Sequence, residues 1–190
     1  MSAIEVISKS ELLEHLTLLD EEASRWRFGY AISDAALEMY VNGIPNDDVL
    51  LGIRSSITSP VIVGAMHLSF DKQTESAEMG ISVLGDYRRK GYAERLMRYS
   101  VDILRNRGIT QLYSVCLPDN APLLKLLQKL NITTVYSNDG DKEARVVIPM
   151  AGIDSVLHEM QNQRLVIIDK AMRPWAELWT RMFTLKIPNN

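Results

Sequence analysis

The chain has 190 residues, of which 46% are hydrophobic and 24% are charged, as is typical of one globular domain with its own core. Its 21 Lys and Arg residues against 24 Asp and Glu residues give a net charge of −3, so no overall positive field favours nucleic acid. The single Cys116 excludes an internal disulfide and a multi-cysteine metal site. No uncharged apolar stretch approaches the roughly 20 residues of a membrane helix, and the charged N-terminus does not resemble a signal peptide. We therefore expect a cytoplasmic protein that binds neither metal nor membrane.

The first half of the chain predicts a strand, two helices and three further strands. The expected bounds are Ile4–Ile7 for the first strand, residues 10–23 and Ser33–Gly43 for the helices, and Val49–Ile53, Val61–Leu68 and Glu75–Leu84 for the later strands. Short polar turns between the later strands predict an antiparallel meander. In the last of these strands Ala77, Met79, Ile81 and Val83 are expected on the core face, with Glu78, Gly80 and Ser82 on the opposite face.

The second half predicts a strand-helix-strand crossover. Apolar residues recur at helical spacing from Ala93 to Leu104, a strand follows over Leu112–Leu117, and Asp119 or Asn120 is expected to cap the next helix. Two last strands, Ile132–Tyr136 and Ala144–Pro149, flank a turn at 137–140. Because a crossover makes two strands parallel, residues 1–150 predict one domain of α/β class, α+β by some schemes. Its sheet should be mixed and mainly antiparallel, with helices on both faces.

Residues 151–190 predict a helical extension. Ile153, Val156, Leu157 and Met160 lie at helical spacing, and Pro174 is expected to kink or divide the segment into a helix pair. Helices this apolar must pack against another surface. The sequence leaves open whether that surface is their own domain, a second subunit in a homodimer or a substrate cleft.

The segment Glu78–Ala93 predicts a strand, a tight basic loop and the start of a helix. Backbone N–H groups at a helix N-terminus lack intrahelical partners and lie at the positive end of the helix dipole, so they bind anions. Gly91 and the small Ala93 allow the backbone to approach a phosphate, and Arg88–Lys90 add positive charge. Neither GxxxxGK[ST] nor GxGxxG occurs. The loop therefore predicts a diphosphate site of another kind.

Val83 followed by Arg88-x-x-Gly91-x-Ala93 resembles the [QR]-x-x-G-x-[GA] acetyl-CoA signature of the GNAT superfamily of N-acetyltransferases. Asn120 at the head of the next helix and the order of elements extend the resemblance to roughly residues 4–149. It implies acetyl-CoA as co-substrate, with the pantetheine arm along the strand end and the pyrophosphate on the loop amides. The binding residues that it implies are Ile81, Ser82, Val83, Arg88, Arg89, Lys90, Gly91, Tyr92, Ala93 and Asn120.

Glu78 is the predicted catalytic base, because it lies on the non-core face of the strand that should hold the cofactor. The alternative is an ordinary surface glutamate. His67 on the adjacent strand is either a proton relay or a structural residue. GNAT catalysis resembles direct transfer, which needs no nucleophilic cysteine, and Cys116 is expected to be a buried apolar residue.

The tyrosine that commonly serves as general acid in the family corresponds to Leu127 here. Tyr113, Tyr136 or solvent remain as proton donors. The leading hypothesis is an N-acetyltransferase acting on a small-molecule or protein amine, and the alternative is a non-catalytic acyl-CoA sensor of the same fold. Binding of nucleic acid or a partner through the arginine-rich helix at 95–107 is disfavoured by the acidic net charge.

The acceptor is the largest open question in the sequence. In the GNAT fold the segment at residues 25–46 usually forms a wall of the acceptor cleft. Trp26, Phe28 and Tyr30 belong either to that wall or to the core.

Overall fold

The computed structural model describes residues 2–71, 73–130, 133–136 and 142–184, and for 115, 133–136, 142–146 and 183–184 it describes the backbone alone. In this part of the chain seven strands form one sheet, with bounds β1 Ile4–Val6, β2 Val49–Arg54, β3 Ile62–Asp71, β4 Ser76–Val83, β5 Gln111–Cys116, β6 Thr133–Tyr136 and β7 Lys142–Val147. The helices are α1 Lys9–Thr17, α2 Glu21–Phe28, α3 Asp34–Gly43, α4 Tyr92–Asn106, α5 Ala121–Lys129 and α6 Ile153–Thr184. The turn predicted at 137–140 and residue 132 lie outside the described residues.

The strand order is β1-β2-β3-β4-β5-β7-β6. Strands β1 to β4 pair antiparallel in sequence order, and β5, β7 and β6 also pair antiparallel. The β4–β5 pair is parallel, because the connection through α4 returns the chain to the end of the sheet at which β4 began. The expected fold class, a mixed and mainly antiparallel sheet with helices on both faces, is confirmed.

Two apolar clusters fill the two sides of the sheet. The first lies under α4 and includes Leu51, Met66, Ala77, Met79, Leu96, Met97 and Leu104. The second lies under α1 and α3 and includes Leu12, Leu16, Leu37, Val41, Leu50 and Ala65. Since side chains alternate along a strand, the buried Ala77 and Met79 direct Glu78 and Gly80 to the side of α1, α2 and α3.

The single helix expected over residues 10–23 is wrong. The chain instead forms α1 and α2, because Asp20 accepts a hydrogen bond from the Ala23 amide (2.7 Å) and becomes the N-cap of a new helix. This break turns α2 towards β4 and places residues 21–28 over the sheet.

The helix pair expected in the extension is also wrong, because α6 is one helix of 32 residues that continues through Pro174. Its inner side packs on its own domain. The Asn162 side chain donates to the Ile4 carbonyl (2.6 Å) and accepts from the Ile4 amide (3.1 Å), and the Ala3 amide donates to Asp169 (2.8 Å). None of the described helices combines the length and apolar character needed to cross a membrane.

The arginine-rich helix α4 uses its cations to hold the structure together. Arg105 pairs with Asp154 of α6 (2.8 Å), and Arg95 donates to the Ser2 carbonyl (2.7 Å). Arg98 pairs with Glu94 one turn away (3.1 Å). These guanidinium groups therefore fix the helix and its neighbours.

Candidate functional site

The basic loop between β4 and α4 presents open backbone donors. Gly91 is the N-cap residue of α4 with a φ of +83°, and no side chain caps the helix there. Arg89 also has a positive φ, +60°. Because the first amides of a helix have no intrahelical partner, those of Tyr92 and Ala93 face the loop at the positive end of the helix dipole. The loop therefore has the geometry of an anion-binding turn.

The edge of β4 beside this loop is open. Pairing between β4 and β5 covers only Ser76–Glu78 and Gln111–Tyr113, and the two strands separate beyond these residues. On its other edge β4 stays paired with β3 as far as Val83. The backbone of Ile81–Val83 thus borders a gap between parallel strands, and an extended chain in that gap has ladder groups to bind.

The Arg88 side chain reaches the start of α2, and its Nε atom also lies 3.5 Å from the Val83 carbonyl at the end of β4. Its guanidinium donates to both carboxylate oxygens of Asp20 (2.7 and 2.9 Å) and to Glu22 (3.3 Å), and it lies 5.4 Å from the centre of the Trp26 ring. The Asp20 carboxyl has a lowered pKa. Its partial burial opposes ionisation, but the Ala23 amide and the Arg88 guanidinium outweigh that effect. Arg88 therefore ties the loop to the start of α2, while the exposed Arg89 and Lys90 remain at the loop surface.

Asn120 caps α5, as one of the two predicted alternatives. Its side-chain oxygen accepts from the Leu123 amide (3.1 Å), and the residue is buried. Asp119, the other candidate, pairs instead with Arg25 of α2. The cap fixes the Asn120 side chain where β5 ends, close to the gap.

Glu78 occupies the last paired position of β4 before the gap. Its nearest strand neighbours are Ser69 on β3 and Tyr113 on β5, and its side chain is exposed. The residue faces the side of the sheet covered by α1, α2 and α3. A carboxylate at this place meets any molecule that enters the gap from that side.

A hydrogen-bonded chain of polar side chains lies beside Glu78. The His67 ring contacts Asp48 through Nε2 (2.8 Å) and Tyr40 through Nδ1 (2.7 Å). Since a carboxylate only accepts, Nε2–H donates to Asp48 and Nδ1 accepts from the Tyr40 hydroxyl. Burial lowers the pKa of His67, against the opposing effect of Asp48, so the ring is neutral at neutral pH. With both nitrogens engaged, His67 positions its neighbours.

Arg27 completes this chain. It donates to the Tyr40 hydroxyl (2.6 Å), and its guanidinium lies directly over Gly80. A Cβ atom at Gly80 would lie only 2.1 Å from the Arg27 Cζ atom, so the side chain lies against bare backbone. The guanidinium also contacts the faces of the Phe28 and Tyr40 rings, at 4.9 and 5.5 Å from their centres. Among the described residues, no carboxylate pairs with Arg27. In the same part of the chain, no donor group forms a hydrogen bond with the Glu78 carboxylate.

The side chains considered as proton donors, and the position of the family's tyrosine, lie in different environments. Leu127 is fully buried in the first cluster and cannot supply a proton. The Tyr113 hydroxyl donates to Gln111, two residues back along β5 and away from the gap. Cys116 is buried, as expected. The side chain of Tyr136 lies outside the described residues.

His15 and Ser82 form a second polar pair under the gap. The His15 Nδ1–H donates to the Ile62 carbonyl (2.8 Å), and Nε2 accepts from the Ser82 hydroxyl (2.8 Å). Both side chains are buried. The Ser82 hydroxyl is thus hydrogen-bonded to His15 of α1, and only the backbone of Ser82 borders the gap.

Sequence reasoning missed Arg27, Tyr40, Asp48 and His15. The segment at 25–46 was expected to form a wall of the acceptor cleft, with Trp26, Phe28 and Tyr30 as its candidate residues. Of these Phe28 packs against Tyr40 (5.3 Å between ring centres), while Tyr30 is 61% exposed. The available signal was a cation beside two aromatic residues on one short helix.

No group of three or more His, Cys, Asp or Glu side chains in the described part of the chain is placed to hold a metal ion. Residues 11–132 match the family model described as Acetyltransferase (GNAT) family. No curated protein sequence matches the chain.

Solved structures with the same fold include several acetyltransferases. The chain is similar to the GNAT domain of S. lividans PAT, at 17% identity over 76% of this chain and 89% of that one, with a TM-score of 0.64. An N-acetyltransferase from Staphylococcus aureus Mu50 has 15% identity over 77% and 98%, with a TM-score of 0.63. PaiA N-acetyltransferase from Thermoplasma acidophilum, in complex with coenzyme A, has 17% identity over 77% and 99%, with a TM-score of 0.58. Identities this low indicate a shared fold and leave the substrate open.

Proposed function

Because the chain belongs to the GNAT family of acetyltransferases, we propose that it is an N-acetyltransferase that moves an acetyl group directly from acetyl-CoA to an amine. The observation that carries the proposal is the open edge of β4, which is followed, after one 3-10 turn at Gly85–Tyr87, by the uncapped basic loop. One extended ligand with an anionic end fits these two features together. Acetyl-CoA has this form, with a pantetheine arm and a diphosphate.

In this proposal the chain binds the cofactor mainly through its backbone. The amides of Arg89–Ala93 hold the pyrophosphate, and the backbone of Ile81–Val83 pairs with the pantetheine arm. Arg89 and Lys90 supply charge for a ribose phosphate. Arg88 contributes its amide and orders the loop through Asp20.

We propose that Glu78 accepts the proton that the amine must lose. Its exposed carboxylate lies where the gap begins, so an amine that attacks the acetyl carbonyl from the side of α2 passes beside it. A new C–N bond forms as the C–S bond breaks, and the sulfur leaves as a thiolate. With Leu127 buried and Tyr113 bonded to Gln111, we assign protonation of that thiolate to solvent or to Tyr136.

Arg27 supports an acceptor that carries an anionic group near its amine. The guanidinium lies over Gly80, the next residue after Glu78 on the same face of β4, and it has no carboxylate partner among the described residues. Glu78 and Arg27 thus offer one negative and one positive group side by side. A zwitterionic amine, such as an amino acid, matches both.

Calorimetry with acetyl-CoA and a thiol-release assay over a panel of amines test the proposal. We expect acetyl-CoA to bind, and we expect Glu78→Gln to lower kcat by roughly 100-fold or more with an unchanged Kd for acetyl-CoA. The matched control is Glu75→Gln, which neutralises an exposed carboxylate just before β4 and should change neither value.

Three results would contradict parts of this proposal. An unchanged rate in Glu78→Gln would remove Glu78 as the base. Binding of acetyl-CoA without thiol release for any amine would favour the non-catalytic acyl-CoA sensor, which the buried Leu127 makes the second candidate. Absence of acetyl-CoA binding would overturn both functions.

A further inference from the structure

The side of α6 that points away from the domain is apolar along its length. We call it the outer face of α6, and its large apolar members are Ile153, Leu157, Met160, Ile167, Ile168, Trp175, Leu178 and Met182; Val156, Leu165, Met172 and Trp179 are further exposed apolar side chains that flank it. These side chains are 46% to 81% exposed. The opposite side carries Ser155, Asn162 and Asp169, which bond to the domain. Exposed apolar patches of this size mark interaction surfaces.

The spacing of the outer face is the same from either end. From Ile153 its positions follow at steps of 4, 3, 4 and 3 residues to Ile167, and from Met182 backwards they follow at the same steps to Ile168. Steps of three and four residues are those with which packed helices interlock. An antiparallel second copy of α6, related by a twofold axis between Ile167 and Ile168, therefore places every position of the face opposite another.

Most of the paired positions are apolar on both copies. This register sets Ile153 opposite Met182, Leu157 opposite Leu178, and Met160 opposite Trp175 of the second copy. The outer face is interrupted by one charged residue, Arg164, and the register places the small Ala171 opposite it. The long Arg164 side chain thus has room to reach solvent past its neighbour.

Charge favours the antiparallel direction. In residues 153–163 the only charged side chains are Asp154 and Glu159, which pair with Arg105 and Arg107 of their own domain, whereas residues 164–184 carry four basic and two acidic residues, a net +2. Antiparallel copies place the basic part of each helix beside the neutralised part of the other. Parallel copies would bring like charges and like ends of the helix dipoles together.

The shape and size of the surface agree with this partner. A shallow apolar hollow lined by Ala151, Gly152, Ile153, Val156 and Leu157 lies at the start of α6, where the register places Met182 of the second copy. A helix of 32 residues is about 48 Å long. A standard stable interface buries on the order of 800 Å² per partner, so a dimer would use the whole length of the outer face. We propose that the chain forms an antiparallel homodimer through the outer face of α6.

Light scattering after size-exclusion chromatography tests the dimer. We expect twice the chain mass of 21.5 kDa, and we expect Ile167→Glu to halve it, because it places a charge beside the twofold axis. The matched control is Gln163→Glu, which adds the same charge at an exposed position of α6 off the outer face, and it should leave the dimer intact. Unchanged circular dichroism melting of a monomeric Ile167→Glu protein would show that its fold is retained. A wild-type protein that is monomeric at every attainable concentration would overturn the proposal.

Cross-linking tests the direction of the helices. The only native thiol, Cys116, is buried, so a short bis-maleimide reports on introduced cysteines. Ile168→Cys lies at the axis and should cross-link to its own copy, whereas Ile153→Cys should cross-link only when combined with Met182→Cys. Efficient cross-linking of Ile153→Cys alone would indicate parallel helices and overturn the antiparallel register. Monomeric protein that floats with anionic phospholipid vesicles would assign the face to a membrane surface instead.

Discussion

His15 makes the stability of this protein sensitive to acid. Its ring is buried between α1 and the sheet, where it donates to the Ile62 carbonyl and accepts from Ser82. Burial lowers the pKa of His15 to about 4, because the charged ring would lose its hydration. The hydrogen bond to the Ile62 carbonyl opposes this shift, and repulsion between the charged ring and Arg27 adds to it. In the unfolded chain the ring takes up its proton near pH 6.5. Between these values the unfolded state binds more protons, so the stabilisation is complete above about pH 6.5 and is lost as pH falls towards 4.

The size of this effect follows from the two pKa values. Each unit of pKa difference corresponds to about 1.4 kcal/mol, and between about pH 7 and about pH 4.5 the free energy of unfolding should fall by about 2 kcal/mol through His15 alone. Urea unfolding followed by circular dichroism at both pH values measures this loss. We expect His15→Gln to be less stable at pH 7 but to lose about 2 kcal/mol less than the wild type on acidification.

The control is His158→Gln, which removes an exposed ring on α6 and should keep the acid sensitivity of the wild type. Other titrating groups contribute equally to wild type and variant, so the difference between them isolates His15. An equal loss of stability in His15→Gln and in the wild type would show that His15 is not the source of the acid sensitivity.

Three further substitutions test separate parts of the structure. Gly91→Ala should weaken acetyl-CoA binding about 10-fold in calorimetry, because a φ of +83° costs a residue with a side chain roughly 1–2 kcal/mol. The control is Gly43→Ala, because no atoms lie near the added methyl group. Equal Kd values for the two variants would contradict the loop site. Gly80→Ala should displace Arg27 and lower kcat/KM for anionic acceptors with an unchanged acetyl-CoA Kd; an unaltered acceptor preference would remove Arg27 from acceptor binding. Asn162→Leu should lower the free energy of unfolding by about 2 kcal/mol, because it removes two hydrogen bonds. Gln163→Leu, at the exposed neighbouring position, should change that free energy by less than about 0.5 kcal/mol. Equal changes in both variants would contradict the role of Asn162.

Consecutive residues were the most predictable part of the site. Glu78–Ala93 forms the expected strand, loop and helix start, because strand alternation, a glycine at a positive φ and helical spacing are all local properties. The direction of the Arg88 side chain was not predictable. It depends on Asp20, which is distant in sequence and which also divides the expected first helix.

The acceptor side required the folded chain. Arg27, Tyr40, Asp48 and His67 come from α2, α3, a loop and β3, and no local pattern in these segments predicts that the four side chains meet. The bond from Arg27 to Tyr40 forms because the break at Asp20 turns α2 over β4. The roles predicted for Glu78, for the loop residues and for Asn120 stay predictions that the proposed assays address.

The sequence by itself determined the fold class and the position of the basic loop, because both follow from short-range patterns of apolar residues, glycine and charge. Only the tertiary structure decided where α6 packs and which of its sides remains exposed. Helical periodicity shows that Ile153–Met182 is apolar on one side, but Asn162 and Asp169 select the side that contacts β1. That choice depends on hydrogen bonds between residues more than 150 positions apart, which no local pattern encodes.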